Sequence, residues 1–157
     1  MTTELNSNAT AKESEAMSVA QVRLESIKSG LIGAATVGGV ASITLVVLTF
    51  VNQTMPLPLP VGPMAWFANV AVAITSGFFF GVTYRYIVRQ DDNLHLGSGA
   101  VGAFALVRSL AQIEALWNDT FTPLTWLMIT GESFLWFAAA RYTLDWAIRR
   151  QIVQPLD

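Results

Sequence analysis

The fold class the sequence predicts is an all-α, polytopic membrane protein: four transmembrane helices preceded by a short N-terminal helix. Three observations lead there. Charged residues make up only 13% of the 157-residue chain and apolar residues 53%, whereas an average soluble domain carries about 25% charged residues. The few charges cluster, leaving uncharged runs long enough to cross a bilayer, which takes about 20 residues as a helix. Finally, the basic residues fall at alternate ends of those runs.

The start, "MTTELNSNATAKESEA", is polar and acidic, with neither a basic n-region nor an early apolar core, so no cleaved secretory signal is expected. Residues 1–9 read as a disordered tail, being poor in aromatic and branched side chains. Residues 10–29 read as a cytoplasmic or interfacial helix. Thr10-x-x-Glu13 and Ser18-x-x-Gln21 match the capping-box pattern, and Met17, Ala20, Leu24 and Ile27 recur at helical spacing.

The first span, Gly30–Val51, carries no charge. Gly30, Ala34, Gly38 and Ser42 repeat every fourth residue and form a seam of small side chains. Such a seam lets a second helix approach closely enough to gain contacts that lipid does not offer. "NQTMPLPLPVGP" follows; its prolines lack the amide donor a helix needs, so it is an extended connector. The second span covers about 64–85, the third 97–117 and the fourth 124–148, with 150–157 a short tail.

The third segment is the doubtful one, because Arg108 and Glu114 interrupt it. Charge bias decides: with four crossings, Arg23, Lys28, Arg85, Arg89, Arg149 and Arg150 all lie on one side, and the opposite connectors hold no base. Both termini are then cytoplasmic. Aromatic placement agrees, with Trp66, Trp117 and Trp126 at the outer boundary and Tyr84, Tyr86, Tyr142 and Trp146 near the inner one.

Arg108 therefore sits within the bilayer, about 13 Å below Trp117 at the helical rise. Unpaired, it costs at least about 2.5–3.5 kcal/mol on insertion scales. Glu132 lies at a similar depth, about 12 Å into the fourth span, and a short connector makes the two spans antiparallel neighbours. An intramembrane pair Arg108–Glu132 is expected, either to lock the spans or to serve an ion, proton or ligand. Arg141 and Asp145 form a secondary pair at i,i+4.

Other chemistry is thin. A net charge of −2 and the lack of a basic stripe exclude nucleic acid. The absence of cysteine excludes disulfides, thiolate metal sites and cysteine nucleophiles. His95, the only histidine, lies near Asp91 and Asp92, a weak metal set that reads better as a polar connector. No phosphate loop, GxSxG elbow or HExxH occurs. No catalytic residue, cofactor or metal site is expected, and no enzyme.

The run "GFFFGVTYRYIVRQDDNLHLGSGAVGAFALVRSLAQIE", Gly77–Glu114, resembles small integral membrane proteins of cyanobacteria and chloroplasts. The shared features are a span ending in Tyr-Arg-Tyr, an Arg/Asp/Asp/Asn hairpin and a glycine-rich span containing Val-Arg. The resemblance implies a thylakoid or cyanobacterial inner membrane, with the hairpin on the cytoplasmic or stromal side, and supplies no catalytic residues. The functional expectation is a non-catalytic accessory or assembly protein that packs against a larger membrane complex, a photosynthetic one by that resemblance. The alternative is a small channel or ion- or proton-coupled carrier using Arg108 and Glu132. The bilayer and a larger complex are the expected partners, and self-association is left open.

Overall fold

The computed structural model describes the backbone of residues 2–54, 63–88, 94–115 and 122–154, with nearly all side chains from residue 18 onward. The proline-rich connector, the "RQDDN" hairpin, Trp117 and most of "NDTFTP" lie outside the described residues.

The described residues form four helices: α1 (Thr2–Thr54), α2 (Pro63–Ile87), α3 (Leu94–Ala115) and α4 (Pro123–Arg149). Among the described residues, three stretches are long and apolar enough to cross a membrane: Ser18–Val51, Trp66–Ile87 and His95–Ala115. The fourth expected span does not share that composition. At 27 residues α4 is long enough, but Glu132, Arg141 and Asp145 and several hydroxyls dilute its apolar run.

The N-terminus also differs from expectation. Residues 1–9 were expected to be disordered and 10–29 to form a separate helix, yet α1 is one uninterrupted helix from Thr2 into the first span. Extending an existing helix needs no new nucleus, and the Ala-, Glu- and Lys-containing lead-in has adequate propensity.

Neighbouring helices are antiparallel, α1 against α2, α2 against α3, α3 against α4, and α4 back against α1. α2 and α4 also touch across the centre, so α1 and α3 occupy opposite corners. Aromatic rings fill the middle. Phe80 packs 5.3 Å from Phe104 and 5.2 Å from Phe137, and stacks on Tyr84 at 5.4 Å. Alanines 41, 73, 105 and 140 are buried around this layer and let the backbones close in.

The closest approach is between α1 and α2. A methyl group on Gly81 would collide with the Ser29 carbonyl oxygen, and one on Gly33 with the carbonyl oxygen of Gly77. The helices meet backbone to backbone, the situation in which small residues replace the hydrophobic drive that lipid removes.

The outer surface is apolar. Val107, Leu127, Leu31 and Phe79 are more than half exposed, as expected where lipid is the solvent. Trp66 and Trp126 are exposed near one end, and Tyr86, Tyr142 and Trp146 near the other. Tyr84 departs from the expected belt, since it is buried and serves the core.

Arg85 ties the ends together. Its Nε donates to the Gln154 carbonyl at 2.8 Å, and its Nη1 to the Val22 carbonyl at 2.9 Å and Ser26 Oγ at 2.7 Å. Glu25 Oε2 accepts from the Gln154 amide at 3.0 Å. The tail reaches this cluster through a Schellman turn: Ile152 N–H donates to Ala147 O, Gln151 N–H to Ile148 O, and Gln151 adopts φ 56°. Val153 is then fully buried. The lead-in of α1, the end of α2 and the C-terminal tail thus lie at one end of the bundle.

Candidate functional site

All four helices send a polar side chain to one place in the half of the bundle away from Arg85. α3 contributes Arg108, which is only 8% exposed. It shares a helical face with buried Ala105, so the long side chain turns inward. α2 contributes Asn69, whose Oδ1 accepts from Arg108 Nη2 at 3.0 Å. α4 contributes Trp136, its ring centroid 4.0 Å from the guanidinium carbon. α1 contributes Thr44, whose hydroxyl accepts from Trp136 Nε1 at 3.1 Å.

The chain of contacts runs Asn69–Arg108–Trp136–Thr44. In a dry interior, a cation over an indole face gains about 2 kcal/mol or more, and a hydrogen bond from a charged donor about 1.5–3 kcal/mol. Together these are commensurate with the insertion cost of the arginine.

Glu132 completes the group without closing on Arg108. The two are within electrostatic reach, but no direct ion pair forms, and Glu132 faces Thr44 instead. The expected Arg108–Glu132 pair is therefore corrected to a longer-range one. Trp136 lies one turn further along the same face of α4 and occupies the place over the guanidinium that a contacting carboxylate would need.

The seam expected along α1 is partly at the interface. Gly30 would strike Phe78 and Gly38 would strike Ile74 if each gained a methyl group, at 2.6 and 2.7 Å. Ala34 is buried, while Ser42 is half-buried and its hydroxyl bonds back to the Gly38 carbonyl at 2.8 Å. The tightest contacts fall one position over, at Ser29, Gly33 and Val37.

Arg141 Nε lies 3.8 Å from Asp145 Oδ2, and the other carboxylate oxygen accepts from Tyr84 Oη at 2.5 Å. Gly97 fits closely here, its missing side chain leaving room for Arg141 and Tyr84. Glu114 and His95 are exposed, and Asp91 and Asp92 lie outside the described residues.

Sequence reasoning counted Arg85 only for charge bias and missed Asn69, Thr44 and the pair Gly77-x-x-x-Gly81. The last was signalled by "GFFFG", a small-x-x-x-small pattern inside an apolar run. Asn69 was signalled as the sole carboxamide within its span.

No protein-family model, curated protein or solved structure matches the chain.

Proposed function

We propose that the chain is a non-catalytic integral membrane protein with four crossings and both termini on the cytoplasmic side. In this reading it serves as an accessory or assembly subunit of a larger membrane complex, docking α3 against a transmembrane helix of that complex. The observation that carries this is the outer face of α3. Gly99, Gly102, Ala103, Leu106 and Leu110 share one side of the helix. Gly99, Ala103, Leu106 and Leu110 are exposed, and nothing lies within 4 Å of where a side chain on Gly99 or Gly102 would project. Lipid tails fill any apolar surface, but only another helix gains from the close approach that small residues permit.

The polar group at Arg108 supports the same reading. Its charge is spent inside the bundle on Asn69 and Trp136, which locks the four helices into one rigid unit. A carrier or channel route through Arg108 has less support, because Trp136 and Asn69 close over the guanidinium. The resemblance around Gly77–Glu114 suggests a photosynthetic membrane as the setting.

The test uses Gly99→Leu and Gly102→Leu. Both side chains enter open space, so the isolated protein should fold as before. Affinity purification from native membranes in mild detergent should recover a larger complex with the unaltered chain and lose it with these variants. Recovery unaffected by both variants would remove α3 as the docking face.

A further inference from the structure

A cavity of about 410 Å³ lies between α1 and α4, apart from the outer face of α3. That is within the roughly 300–1,000 Å³ of small-molecule sites. Its walls are apolar: Val47 and Leu48 from α1, Leu127, Met128 and Leu135 from α4. Val47, Leu127 and Leu135 are each more than half exposed, so the cavity opens outward, toward what would be lipid. Among the described residues, Glu132 is its only charged lining residue.

A hydrocarbon chain would fill the walls but leave that carboxylate facing alkane, which is costly. Thr44 is hydrogen-bonded to Glu132, but its single hydroxyl proton is shared. The hydroxyl lies 3.0 Å from the carbonyl oxygens of both Val40 and Ala41, and it accepts from Trp136. Arg108 balances the charge of Glu132 at longer range without touching it. One shared hydroxyl proton cannot satisfy both oxygens of the carboxylate, which has room for a further donor and no need of a counter-ion. A ligand amine would add a second cation near Arg108 and leave net positive charge in a low dielectric. A neutral hydroxyl supplies the donor and adds no charge.

We propose that this cavity binds a membrane-dissolved lipophilic alcohol, its apolar body against Val47, Leu48, Leu127 and Leu135 and its hydroxyl donating to Glu132. The site is independent of the docking role of α3.

The experiment uses the full chain in phosphatidylcholine nanodiscs and a diazirine-bearing hexadecanol, with labelled peptides mapped by mass spectrometry. Saturable labelling at Val47–Leu48 and Leu127–Leu135 is expected, competed by unlabelled hexadecanol. Hexadecane should compete about tenfold less well, and Glu132→Leu should weaken labelling about tenfold, the worth of one hydrogen bond to a charged acceptor. Gly131→Phe is the second variant. Gly131 lines the cavity with open space beside it, so the ring should fill the cavity and abolish labelling while thermal unfolding stays unchanged. Equal competition by hexadecane, stronger competition by hexadecylamine, or unchanged labelling in both variants would each overturn the proposal.

Discussion

Arg108 and Trp136 form a cation–π contact in the interior of a helical bundle, with 4.0 Å between the guanidinium carbon and the ring centroid. The carboxylate one turn away on the same helix does not make the contact. An indole face attracts a cation and, unlike a carboxylate, brings no charge of its own to be desolvated. Trp136 then passes the connection to α1 through Thr44, so a single residue joins three helices.

Trp136→Phe should separate the two roles. The ring remains under Arg108 while the bond to Thr44 is lost, at a cost of about 0.6–1.7 kcal/mol, the range for interhelical hydrogen bonds in membranes. Trp136→Leu should cost more, since it removes the π face and leaves a large void. Thermal unfolding in detergent checks the order.

Asn69→Leu removes the hydrogen-bond acceptor for Arg108 while keeping a similar volume. A loss of about 1.5–3 kcal/mol is expected, that of a bond to a charged group. Adding Arg108→Leu to it should recover part of that loss, because the buried cation then no longer lacks its acceptor. A double-mutant cycle reads the difference.

Gly81→Ala and Gly33→Ala should each destabilise the α1–α2 contact by about 1–3 kcal/mol, the usual range for overpacking. The obstacles are the carbonyl oxygens of Ser29 and Gly77, which are backbone and cannot rotate away. Gly99→Ala meets nothing and should be neutral or slightly stabilising by helix propensity. The same unfolding assay distinguishes the three.

Glu25 holds the C-terminal tail and should make its docking pH-sensitive. Lys28 Nζ donates to it at 2.6 Å, and this, with the Gln154 amide and nearby Arg85, holds its carboxyl below the usual range despite partial burial. A lowered folded-state value contributes stability above the ordinary value of 4.5, and that contribution is lost as pH falls through the folded-state value. Protease access to the tail should therefore increase on acidification below the ordinary glutamate value and become independent of pH in this window in Glu25→Gln.

The extents of α2, α3 and α4 were legible because uncharged runs, prolines and clustered charges act locally, whereas the continuity of α1 through residues 2–29 was not. Arg141 and Asp145 were legible for the same reason, being one turn apart on a single helix. Depth along a helix was legible too, which is why Arg108 and Glu132 fall near each other. Which side chain closes on Arg108 was not, because that depends on how α2 and α4 rotate about their own axes. That rotation is set by backbone contacts at Gly33, Gly77 and Gly81 and by the aromatic layer around Phe80. The expectation of a fourth span went beyond the composition of α4, whose Glu132, Arg141 and Asp145 leave it less apolar than the three helices that qualify.

The most direct measurement is the size of the particle that carries the chain when native membranes are solubilised in mild detergent and run on a native gel. A band well above the monomer, shifting to the monomer in Gly102→Leu while that variant unfolds at the same temperature, is the expected result. A monomer or a simple homo-oligomer in the unaltered protein would contradict the accessory role.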